Sequence, residues 1–156
     1  MGCALGGCRA PDFGSRLSVF GCGEGRKGMG FVFEKLEVYG RAVALAERLV
    51  RMCCDFPQGY YAIADQLRRS VVSISCNIAE GNGRWSAKER KHFFMIARGS
   101  AYECVPLLRM ARNLGLVESA EHEEVRNELD QICGMIGGLI RRAAGREKPD
   151  RQSPLD

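Results

Sequence analysis

Residues Leu67–Glu103 read LRRSVVSISCNIAEGNGRWSAKERKHFFMIARGSAYE, and the fold turns on how this stretch is parsed. Apolar residues recur at Leu67, Val71, Ile74 and Ile78, the spacing of one helical face, and again at Phe93, Phe94, Ala97, Ala101 and Cys104. Between the two runs stands Gly81-Asn82-Gly83, a sequence suited to a helix exit with backbone in the left-handed region. Ser86-Ala87-Lys88-Glu89 then has the pattern of a capping box, in which Ser86 accepts from the first free amides and Glu89 reaches back. The stretch therefore predicts two helices meeting at a tight corner. Ser70, Ser73, Ser75, Cys76 and Ala79 on the first, with Gly99 and Ser100 on the second, predict close approach.

Working outward, the helix entered at about Tyr60 extends its stripe back through Ala64, and Phe56-Pro57-Gln58-Gly59 separates it from an earlier helix. That earlier helix is predicted over roughly Glu34 to Asp55 and carries two apolar seams. One contains Leu36, Tyr39, Val43, Ala46, Val50 and Cys53; the other contains Val38, Ala42, Leu45, Leu49, Met52 and Phe56. Two seams suit a helix facing both its own bundle and another subunit, and equally a helix buried between neighbours of one bundle. Downstream, the helix after the corner runs to about Asn113, with Pro106 predicted to kink it. Asn113-Leu114-Gly115 closes it, and Ser119 is the expected cap of a last helix whose stripe is Val125, Leu129, Ile132, Ile136 and Leu139. Four amphipathic helices with short connections predict an all-α, antiparallel up-down four-helix bundle over residues 31–145. Residues 1–30, rich in Gly and Cys, and 146–156 are expected to be disordered tails, with Met29 a candidate start of the native protein.

At 156 residues the chain suffices for one domain with a proper core, and its net charge of +4 permits an anionic partner without demanding one. The charge is unevenly distributed: bases dominate from Tyr60 to Arg112, acids from Asn113 to Cys133. The eight cysteines contain no Cys-x-x-Cys and read as buried free thiols in a reducing cytoplasm, not as a disulfide or zinc framework. Near the start, Leu5-Gly6-Gly7-Cys8 lacks the apolar run of a lipoprotein signal, and Gly21-Cys22-Gly23-Glu24-Gly25 lacks the Lys-Ser/Thr of a phosphate loop.

Catalysis finds little support. Glu89-Arg90-Lys91-His92 matches Glu-x-x-His, but Ser119 stands where a second motif ending at His122 would need its glutamate. Neither histidine has an arginine four to six residues ahead of it, as all-helical ribonucleases of the HEPN type require. No cofactor or metal site is expected. Binding is the better reading: Arg84, Lys88, Lys91 and Arg98 recur at i, i+4, i+7 and i+14, with Arg68 and Arg69 on the neighbouring helix. Trp85 at the corner could stack on a base, but a buried anchor of the corner is the expected role.

Several segments together resemble the bacterial family encoded in 23S rRNA intervening sequences, also called four-helix bundle proteins. They are Phe33-Glu34-Lys35-Leu36-Glu37-Val38, Leu67-Arg68-Arg69-Ser70-Val71-Val72-Ser73-Ile74, Asn77-Ile78-Ala79-Glu80-Gly81, Ser86 with Glu89, and Ala97-Arg98-Gly99-Ser100 with Glu103. The resemblance spans about Phe33 to Ala143. Ser75 stands where the family usually has proline, and Pro106 where it has an ordinary helix former. The resemblance implies a homo-oligomer, often a ring-like pentamer; no membrane association is expected. A related branch, the accessory variability proteins of diversity-generating retroelements, binds a reverse transcriptase and its template RNA. Asn77, Glu80, Gly81, Arg98 and Glu103 are the motif residues that invite a structural role, and Glu80 is expected to pair with Arg98 across the corner.

Overall fold

The computed structural model describes residues 30–145, so the two expected tails lie outside the described residues save for Gly30. A 3₁₀ turn at Val32–Lys35 leads into α1 (Glu37–Cys54), and a second at Gln58–Tyr60 leads into α2 (Tyr61–Gly83). α3 (Ala87–Asn113) and α4 (Ser119–Ala144) complete the described chain, which contains no strand. Side-chain pairings show the helices alternating in direction. Arg41 meets Glu128 and Arg48 meets Glu124 between α1 and α4, while Ser70 meets Glu103 and Ser73 meets Ser100 between α2 and α3. This is the expected up-down four-helix bundle.

Its core takes one stripe from each helix. Leu49, Leu67, Ile74, Ile78, Leu108, Leu129, Ile132 and Ile136 are all removed from solvent, each contributing about 1.5–3 kcal/mol relative to exposure. Both seams of α1 serve this one core: Val38, Ala42, Leu45, Ala46, Leu49 and Cys53 are buried, and Leu36, Tyr39, Val50, Met52 and Phe56 pack at its margin.

The corner between α2 and α3 departs from its sequence reading. α2 does not end at Glu80. It continues through Gly81 and Asn82 to Gly83, and neither glycine has a positive φ. Gly81 is needed for space: a Cβ there would lie 2.7 Å from Cε1 and 2.9 Å from Cδ1 of the Phe94 ring. The left-handed turn sits instead at Gly115, with φ 72°. There the Leu116 amide donates to Ala111 and the Gly115 amide to Arg112, the paired bonds of a Schellman ending.

The expected side-chain caps are corrected too. Ser86 occupies the N-cap position of α3, but its hydroxyl makes no capping hydrogen bond. The N-cap of α4 is Glu118, with Ser119 already inside the helix. Pro106 leaves α3 unbroken. Its ring removes the amide that would bond Tyr102, and both residues are exposed, so water can satisfy that carbonyl.

The small residues between α2 and α3 carry a polar ladder. Ser70 donates to Glu103 at 3.1 Å, Ser73 and Ser100 share a hydrogen bond of 2.8 Å, and the Asn77 amide donates to Ser73. Only side chains this short let two backbones approach while leaving buried hydroxyls partnered. Asn77 and Glu103 are therefore explained by helix–helix packing.

Candidate nucleic-acid interface

The bases singled out by their spacing divide into paired and unpaired sets. Arg69 pairs with Asp65 at 2.8 Å one turn earlier, and Arg84 pairs with Glu80. Arg84 is the C-cap of α2, not a member of the α3 stripe, and its guanidinium also lies 4.9 Å from the centre of the Phe93 ring. The expected bond between Glu80 and Arg98 is absent. Glu80 is held by Arg84, while Arg98 lies 6.0 Å from the centre of the Tyr102 ring and near Cys133 on α4, where burial pushes the thiol pKa up and Arg98 offsets only part of the rise. The reason is register: Gly81, next to Glu80, sits against Phe94, one turn before Arg98, and Arg98 leans towards α4.

Lys88, Lys91 and Arg98 remain along one side of α3, and no carboxylate of a described residue lies within 4.0 Å of them. Lys88 and Lys91 line a shallow depression of about 570 Å³ with Glu89, His92 and Met95. Arg68 and Arg69 stand on α2 towards the Arg98 end of this group. Ser70 lies level with Glu103, so Arg69 is about 24 Å along the bundle from Lys88 and about 9 Å from Arg98 at a rise of 1.5 Å per residue. Arg68 covers the Tyr61 ring at 5.7 Å and faces Cys53 of α1.

Exposed apolar side chains share the outer surface with these bases. Met95, Ile96, Tyr102 and Met110 of α3 and Val72 of α2 are all open to solvent. Trp85 is 99% exposed, which overturns its expected role as a buried anchor of the corner. It lines a cleft of about 720 Å³ with Phe33, Ala79, Gly83 and Arg84. The sequence offered no sign of this exposure, because a tryptophan beside a turn usually buries part of its large apolar surface.

The remaining chemistry-bearing groups do not converge. His92 is exposed on α3, whereas His122 is buried at the start of α4, with Nδ1 free of hydrogen bonds and 3.4 Å from Glu123 Oε1. Arg112 reaches that same glutamate, so the two histidines sit about 30 Å apart along α3. Among the described residues, no group of three or more His, Cys, Asp and Glu is placed to hold a metal. Burial pushes the Cys53 thiol up to about 11 and the Cys104 thiol up to about 12, which keeps both inert. Cys54 and Cys76 are exposed, against the expectation that these cysteines are buried. No helix among the described residues is long and apolar enough to cross a membrane.

With the bundle and its basic stripe described, kinship can be judged. The model of the 23S rRNA-intervening sequence protein family matches residues 34–138. This chain belongs to that family. The match covers nearly the whole bundle, in line with the segments from Phe33 to Ala143 that carried the resemblance. No curated protein matches the chain. A crystal structure of a protein of unknown function from the S23 ribosomal protein family of Bacteroides thetaiotaomicron VPI-5482 is similar, with 22% identity and a TM-score of 0.64. The alignment covers 67% of this chain and 98% of that one, and at such identity it shows a shared fold.

Proposed function

We propose that this chain is a non-enzymatic, self-associating bundle that binds nucleic acid, RNA or DNA, through the outer face of α3. The observation that carries the reading is the placement of Lys88, Lys91 and Arg98, none of them with a described carboxylate within 4.0 Å, along one side of a single helix. Cations without internal partners are free to displace counterions from phosphates, and repetition of the stripe around an oligomer would multiply the effect. The family's association with intervening sequences of 23S rRNA supports the same direction. A homopentamer acting as the accessory of a reverse transcriptase is the fullest form of this reading, and it rests on the resemblance to the retroelement branch.

The exposed apolar residues of α3 favour a second reading, a protein–protein scaffold in which Met95, Ile96 and Tyr102 meet another copy. A binding titration over a range of salt separates the two. The nucleic-acid reading expects log affinity to fall linearly with log salt, and Lys88→Glu with Lys91→Glu to weaken binding at least tenfold and flatten the slope. Absence of binding at low salt, or equal binding by the reversed variant, would leave the scaffold.

A further inference from the structure

Trp85 holds no structural position that explains it. A tryptophan 99% exposed gives up all the burial that ordinarily favours this side chain, yet it sits beside a formed cleft. Phe33 lines the same cleft, with Phe31 stacked on it at 5.4 Å and Tyr39 edge-on at 4.9 Å. Cys76, Ala79 and Gly83 line it too with small side chains or none, and a Cβ at Gly83 would meet nothing within 4 Å.

From this geometry we infer that the Phe33–Trp85 cleft receives an unpaired nucleobase, which makes single-stranded nucleic acid the ligand of the basic face. The inference rests on the reading of that face as a phosphate-binding surface and supplies what the lysines cannot, a means of telling single strands from duplex. Charge selects the base over the phosphate as occupant. Arg84 at the rim is already neutralised by Glu80, and Glu89, also at the rim, has no cation within 4.0 Å. Carboxylates there can accept hydrogen bonds from the amino groups of a base edge. The phosphates fall instead to Lys88, only three residues from Trp85 and so within about 11 Å of it along the chain, and to Lys91 beyond. A flat aromatic wall accepts any base by its face, so the cleft is tolerant of sequence. A base inside a duplex has no free face to offer.

Trp85 is the only tryptophan of the chain, so its emission reports on this cleft alone. The full chain is titrated with a twelve-nucleotide oligoadenylate and with a blunt twelve-base-pair duplex, following both Trp emission and the anisotropy of a label on the nucleic acid. The single strand is expected to quench the emission in step with binding, and the duplex to bind without quenching. Trp85→Ala should weaken single-strand binding about 5- to 150-fold, the stacking of one base, leave duplex binding unchanged, and be largely rescued by Trp85→Phe. Full exposure of Trp85 makes these variants safe for folding, which thermal melting verifies. Binding without any change in emission, or equal single-strand binding by Trp85→Ala, overturns the cleft while leaving the basic-face reading intact. Absence of all binding overturns both. A blue shift that grows with protein concentration, with no nucleic acid present, assigns the cleft to a second copy of the chain and overturns the inference.

Discussion

The α1–α4 seam and the outer face of α3 are both rich in cations, but they use them in opposite ways. On the seam, Arg41 donates to both oxygens of Glu128 at 2.7 Å and to Gln131 at 2.6 Å, and Arg48 bridges Glu121 and Glu124. The geometry at Arg41 is the bidentate fork that makes guanidinium–carboxylate pairs specific, and it fixes the register of two antiparallel helices. On α3, Lys88 and Lys91 hold nothing in place, and the neighbouring Met95, Tyr102 and Trp85 are left open. Charge on the seam is spent on folding, while charge on α3 is available to a partner. The acidic run from Asn113 to Cys133 supplies the seam's carboxylates to Arg41 and Arg48 of α1, and of the bases from Tyr60 to Arg112 it pairs with Arg112 alone, so the basic excess of α2 and α3 stays largely uncompensated within the monomer.

Substitutions that probe the inner and outer sides of the α2–α3 corner should show the largest contrast. Gly81→Val drives a branched side chain into the Phe94 ring and is expected to lower stability by about 2–3 kcal/mol in chemical denaturation. Gly99→Ala, where a Cβ meets nothing within 4 Å, should raise stability by up to about 1 kcal/mol through helix propensity alone. Equal effects at the two glycines would mean that the α2–α3 approach is not as close as described.

Charge reversal tests the comparison itself. Glu128→Lys places a cation against Arg41 and should lower the thermal midpoint more than any reversal on α3. A smaller effect belongs to acid. The hydrogen bond from Arg41 holds the Glu128 carboxyl below the usual carboxylate range. A depressed folded value means that its stabilisation is present above the unfolded value and is lost as pH falls through the folded one. Glu128→Gln should therefore be less stable than the parent at neutral pH and converge with it only once the pH has fallen below that depressed folded value, as read by melting at stepped pH. The smallest effect is expected for Lys88→Glu with Lys91→Glu, within about 0.5 kcal/mol of parental stability, even though nucleic-acid affinity falls. A marked loss of stability there would show that the lysines serve the fold, and the contrast between the faces would fail.

The elements differ in how far they could be read from sequence. The core stripes of all four helices were legible because helical period and burial coincide: Val71, Ile74 and Ile78, or Val125, Leu129 and Ile132, repeat at a spacing that only one face can serve. Gly115 was legible as a helix stop, since its left-handed φ is a local property. Gly81 was misread because its reason is a neighbour thirteen residues away, the ring of Phe94, and no local rule separates a glycine needed for conformation from one needed for space. The candidate interface was legible in part. The spacing of Lys88, Lys91 and Arg98 on α3 survives, whereas Arg84 turns back to Glu80, and Arg68 and Arg69 stand level with the Arg98 end of the stripe and far from Lys88. Periodicity assigns a residue to a face of its own helix but carries no information on the register between helices.

By itself, the sequence determined the four helices, their apolar stripes and the order in which they pack, because these follow from spacing and short connections along one chain. It also determined the family, through motifs that agree in order. Tertiary structure alone decided which carboxylates Arg41 and Arg48 meet, why Gly81 must lack a side chain, and that Trp85 stands in solvent beside a cleft it shares with Phe33. Those outcomes depend on the axial register and mutual distance of helices, quantities set by the fit of side chains across the core and written in no single segment.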